Sequence, residues 1–144
     1  MSDRQTKELN SLLRGELAAT ESYQQALAKV GEDPGADELR RIQVDHREAA
    51  NTLRQHVHKF GGKPDQRSGV WGTFAKAVAG TAKLLGQTAA MKALLEGEKM
   101  GVKDYEAALH KKDLPSECKD FIRMDLLPQT RAHIAALDNL MKPR

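Results

Sequence analysis

Apolar positions recur along this chain at steps of three and four, not two. Leu9, Leu12, Leu13, Ala19, Tyr23 and Leu27 share one stripe with Glu16 and Thr20, which predicts a helix over about 5–29. Gly31 and the run Asp33-Pro34-Gly35 end it. Leu39, Ile42, His46, Ala49, Ala50, Leu53 and Val57 then share a face of a second helix, about 36–60, stopped by Gly61 and Gly62. A shorter pattern of Val70, Phe74, Ala77, Val78, Thr81 and Leu85 predicts a helix over about 69–85, with Ser68 as its N-cap. A further long helix covers about 88–111, and the last covers about 114–141 with Pro115 in its first turn. Pro128 falls inside that last helix. A missing N–H and a clash one turn back predict a kink between Met124 and Pro128. No stretch alternates with the period of a half-buried strand, so the expected fold class is all-α, a single domain over 1–144.

The pattern is written twice. "LLRGELAATESYQQAL" (Leu12 to Leu27) and "LLEGEKMGVKDYEAAL" (Leu94 to Leu109) agree at seven of sixteen positions, among them Glu16 with Glu98 and Tyr23 with Tyr105. Leu39, His46, Ala49 and Leu53 correspond at identical spacing to Leu126, His133, Ala136 and Leu140. The chain therefore reads as a duplicated helix pair, and two such pairs close into a four-helix bundle by burying their stripes together. The helix over about 69–85 is the expected crossover between the pairs. It is expected to dock through Val70, Phe74, Val78 and Leu85.

Composition narrows the function. The chain is 40% hydrophobic and 30% charged, which marks a globular protein. A net charge of +3 with both signs interspersed argues against nucleic acid as a partner. Cys118 is alone, so no internal disulfide framework exists, and a reducing, cytoplasmic setting is expected. No apolar run is long enough to span a bilayer. The 69–85 segment carries too thin a basic face to read as a membrane helix. No nucleophile–base pair, phosphate loop or dinucleotide motif appears, so a conventional enzyme assignment finds no support and no small-molecule substrate is identifiable.

Glu16, His46, Glu98 and His133 carry the candidate chemistry, because all four interrupt core-facing stripes. An ionised carboxylate there is costly unless it is paired or bound to metal. Two readings stay open: a metal centre at mid-bundle, or a metal-free set of mutual hydrogen bonds. Tyr23 and Tyr105 lie two turns beyond their glutamates and are expected to pack in the core with their hydroxyls on polar partners. His56 and His58, near a helix C-terminus, read as surface residues, and Cys118 receives no role.

The segments "LNSLLRGELAATESYQQAL", "DHREAANTLRQHVHKFGGKP", "SGVWGTFAKAV", "EGEKMGVKDYEAAL" and "LLPQTRAH" resemble a bacterial ferritin-like family of four-helix bundles whose function is undefined. The resemblance implies a ferritin-like fold and a role connected with stress or metal handling. In the di-iron members of that wider fold, the bridging carboxylates stand three residues before each histidine. Gln43 and Thr130 occupy those places here, and Asp45 and Glu48 are expected to point away from the His46 face. Two carboxylates balance one divalent ion. The metal reading is thus one ion, iron or zinc, held by Glu16, His46, Glu98 and His133, with Gln43, Thr130, Tyr23 and Tyr105 around them. The alternative is a metal-free bundle that acts through protein contacts, as a homo-oligomer.

Overall fold

The structure, a computed structural model, describes residues 3–31, 33–67 and 87–142. Among these residues the chain is helical apart from turns and an irregular stretch at 62–66, with no strand. The expected helix over about 69–85, with Val70, Phe74, Val78 and Leu85, lies outside the described residues.

Helix α1 spans Asp3–Val30 and α2 spans Ala36–Lys59, with Gly35 at φ 93° just before α2. At the far end of α2, Gly61 takes φ 84°, and its N–H donates to the His58 carbonyl at 3.0 Å. The Gly62 N–H donates to the Val57 carbonyl at 2.9 Å. Paired bonds of this kind close a helix with glycine in the left-handed region, which is why the sequence stops here. The chain then lies back along α1. Asn10 Nδ2 donates to the Lys63 carbonyl, and its Oδ1 accepts from the Asp65 N–H, both at 2.9 Å. Arg14 meets Asp65 at 2.5 Å.

Helix α3 spans Gln87–Ala108, shorter at its end than the pattern implied. The last helical stretch is continuous but changes type: α4 at Ser116–Phe121, a π-helical turn at Ile122–Leu126, and α5 at Leu127–Met141. The Leu127 N–H donates to the Ile122 carbonyl, five residues back. Pro128 has no N–H for the Met124 carbonyl, and the wider turn gives its ring room. The expected disturbance between Met124 and Pro128 thus takes the form of a π turn.

Side-chain contacts set the topology. Thr20 meets Gln43 and Glu16 meets His46, so α1 and α2 are antiparallel. Tyr23 meets Glu98 and Tyr105 meets Glu16, so α1 and α3 are antiparallel too. Consequently α2 and α3 run the same way. The connection between them starts at one end of the bundle and finishes at the other.

The core has three layers. One apolar cluster holds Leu9, Leu13, Leu53, Val57, Ile122 and Leu126. The other holds Ala26, Leu39, Ile42, Met91, Leu94 and Leu137. Between them lie the buried polar residues Glu16, Gln43, His46, Glu98, Thr130 and His133, none more than 6% exposed. Each fully buried Leu contributes about 1.5–3 kcal/mol. The apolar layers supply the stability against which the polar layer is held. Val44, Met100 and Met124 are the exposed large hydrophobics among the described residues. Among the described residues no helix is long and apolar enough to cross a membrane.

Candidate metal centre

The polar layer is one connected set of hydrogen bonds. His46, in the middle of α2, stands between the two glutamates. Its Nδ1 is 2.6 Å from Glu16 Oε2 and its Nε2 is 2.7 Å from Glu98 Oε2. Glu98 also accepts from the Tyr23 hydroxyl at 2.6 Å, and its other oxygen lies 3.1 Å from His133 Nδ1. Glu16 accepts from the Tyr105 hydroxyl. Each tyrosine thus serves the glutamate of the other twin segment. His133 completes the set with its Nε2 at 2.9 Å from Asp45 Oδ2. The rings of His46 and His133 are 4.8 Å apart, and Tyr23 stacks on His46 at 5.5 Å.

Electrostatics follow from these contacts. Burial opposes a charge on His46, but Glu98 and Glu16 outweigh it and hold its pKa well above the ordinary value of 6.5. Burial alone would raise the Glu98 pKa. The charge on His46, with hydrogen bonds from His133 and His46, instead lowers it from 4.5 to about 2. Burial, followed by the neighbouring carboxylates, pushes both tyrosines well above 10, so they remain proton donors.

All four expected residues are therefore buried in one layer, but they do not form one ring. His46, Glu98 and His133 each offer a ligand atom, and these atoms lie within 4.8 Å of one another. Glu16 is on the far side of the His46 ring, joined to its other nitrogen. Gln43 Nε2 donates to the Thr20 carbonyl and to Gln24 Oε1, and the Thr130 hydroxyl donates to the Leu126 carbonyl. Asp45 requires a correction. It does not point away from the site but reaches across to His133, with its side chain 28% exposed. A helical wheel for α2 alone misses it, because the partner is on α5. The remaining signal was that the matching position in the second half is Ala132, which offers no carboxylate.

The other candidates lie elsewhere. His56 packs edge-on against Phe121 at 5.5 Å, and burial lowers its pKa. Cys118 is buried, which pushes its thiol up to about 11, so it is inert at neutral pH.

Residues 4–111 match a family described as "Domain of unknown function (DUF2383)". That match spans 108 of the 144 residues. The chain belongs to this family. The matched part includes Glu16, Tyr23, His46, Glu98 and Tyr105 and ends before His133. No curated protein and no solved structure matches the chain.

Proposed function

We propose that this protein is a ferritin-like bundle that binds one divalent metal ion between His46, Glu98 and His133. One observation carries the reading. Both histidines present one ring nitrogen to Glu98, and each has its other nitrogen held by a separate carboxylate, Glu16 for His46 and Asp45 for His133. Metal-bound histidines are commonly oriented this way, with the outer carboxylate fixing the tautomer and raising ligand basicity. Two His and one Glu suit zinc or ferrous iron, and such a set leaves a fourth position open. A bound ion would supply Lewis acidity at that position. The protein's own groups bury the ligands and fix their orientation. The ferritin-like part rests on the parallel course of α2 and α3 and on the exchange of tyrosines between the twin segments, which a duplicated helix pair would produce. Gln43 and Thr130 spend their polar groups elsewhere, so a second ion would lack bridging ligands. A cytoplasmic setting belongs to the proposal, since the lone buried Cys118 needs no oxidising compartment.

The test is elemental analysis of untagged protein, followed by titration of chelator-treated protein with zinc and ferrous iron. The expected result is one ion per chain, abolished in Glu98→Ala. Binding should be about 10–100-fold weaker in Glu16→Ala or Asp45→Ala. The double change His56→Ala with His58→Ala should leave it intact. Two magnetically coupled ions per chain would overturn the single-ion reading.

The closed hydrogen-bond set favours a second reading. Every carboxylate oxygen and ring nitrogen of Glu16, His46, Glu98 and His133 has a partner without any ion. A metal-free bundle acting through protein contacts, as a homo-oligomer, follows if no ion is retained.

A further inference from the structure

A cavity of about 260 Å³ lies against α1 and α3, and its lining runs from the polar layer to half-buried residues near the start of α1 and exposed ones near the end of α3. Its walls are small side chains, Gly15, Ala18, Ala19, Gly97 and Gly101 among them. Glu16, Tyr23, His46, Glu98 and Tyr105 form its floor, whereas His133 does not line it. For scale, an engineered cavity of about 150 Å³ accommodates benzene. This one has room for a somewhat longer small molecule.

The hydrogen-bond inventory defines what such a molecule must be. The protons of Tyr23, Tyr105 and His46 are all committed to Glu98 or Glu16. Those of Ser22 and Thr130 are committed to the Ala18 and Leu126 carbonyls. What these deep groups still offer is lone pairs, so the ligand must donate. Charge points the same way. Four carboxylates line the cavity, Glu16 and Glu98 deep and Glu8 and Asp104 at the rim, against Lys111 and His46 as basic groups. Among the described residues no lysine or arginine forms an ion pair with Glu8 or Asp104. Burial, and after it the neighbouring Glu8, raises the Asp104 pKa. The rim and floor carboxylates are six residues apart on α3 and eight on α1, or roughly 9–12 Å along the helices.

We propose that this cavity binds a small linear organic diamine, one ammonium meeting Glu16 and Glu98 and the other meeting Glu8 and Asp104. The methylene chain lies along the small apolar wall. The site shares Glu98 and His46 with the proposed metal centre but not His133, and it needs no metal.

Gly15 provides the blocking variant. A Cβ built there meets nothing within 4 Å, so a leucine side chain can grow into the cavity without disturbing the fold. Leucine is also a better helix former than glycine. The experiment is isothermal titration of the full chain, after chelator treatment, with 1,6-diaminohexane, hexylamine and 1,6-hexanediol. The diamine is expected to bind once per chain, with hexylamine about three- to fivefold weaker because the rim pair is only partly buried. The diol should give no binding heat. Gly15→Leu should lose the binding while melting no lower than the natural chain. Asp104→Asn should bring the diamine down to the level of hexylamine. Absence of diamine binding at millimolar concentration overturns the proposal. So does a diol that binds as well as the diamine, or undiminished binding in both variants. Because the titration is metal-free, its outcome stands apart from that of the metal reading.

Discussion

Glu16 and Glu98 sit at matching places in twin segments, yet they have become different groups. Glu98 is met by both histidines and by Tyr23, and its pKa falls to about 2. Among the described residues Glu16 is met by His46 and Tyr105 alone. The difference comes from the partner helices. In the first half α2 carries Asp45 beside His46; in the second half the same position is Ala132. Asp45 is spent on His133 of the other half, which turns that ring's remaining nitrogen to Glu98. That one difference accompanies the asymmetry between Glu98 as hub and Glu16 as support. Local sequence places a carboxylate in a core, and the groups facing it decide its chemistry.

The largest effect expected from breaking this asymmetry is at the hub. Glu98→Gln removes the charge that balances His46 and should cost about 3–5 kcal/mol in urea unfolding. A loss below that of Glu16→Gln would reverse the ranking of the twins. Acid offers the same test without mutation. Glu98 has a lower pKa folded than unfolded, so its contribution is complete above about 4.5 and is lost as pH falls toward 2. The change is on the order of 3 kcal/mol. Melting temperature should drop across that window in the natural chain and change less in Glu98→Gln. His46 has the opposite sign. Its pKa is raised, so its contribution is present below 6.5 and declines as pH rises through the higher folded value.

A smaller effect is expected at Glu16. Glu16→Gln leaves His46 its stronger partner and should cost about 1–3 kcal/mol. The smallest is at Asp45, whose side chain is partly exposed. Asp45→Asn should cost about 1 kcal/mol or less. The ring-nitrogen NMR signals of His133 should move in that variant while those of His46 stay in place.

Much of this was legible in the chain itself. The boundaries of α1 and α2 follow from Gly31, Gly35, Gly61 and Gly62, since glycine and proline act on the backbone locally. Glu16, His46, Glu98 and His133 stood out because each breaks an apolar stripe. The pairing of Tyr23 with Glu98 was hidden. Tyr23 is two turns, about 10 Å, from its own Glu16, and only an antiparallel neighbour brings another carboxylate beside it. Asp45 was hidden for the same reason. The π turn at Ile122–Leu126 was announced by Pro128, but whether proline bends or widens a helix depends on what packs around it.

The three-layered core has a consequence for assembly. Apolar faces alone tolerate sliding, because one leucine fits against another nearly as well a turn away. A shift of α3 along α1 by one turn, about 5.4 Å, would carry Glu98 away from Tyr23 and into the Leu94–Ile42 layer, unpaired. The band of glutamates and histidines acts as a vernier. It gives four helices of similar face a single alignment, and it enforces that alignment through the cost of every other one.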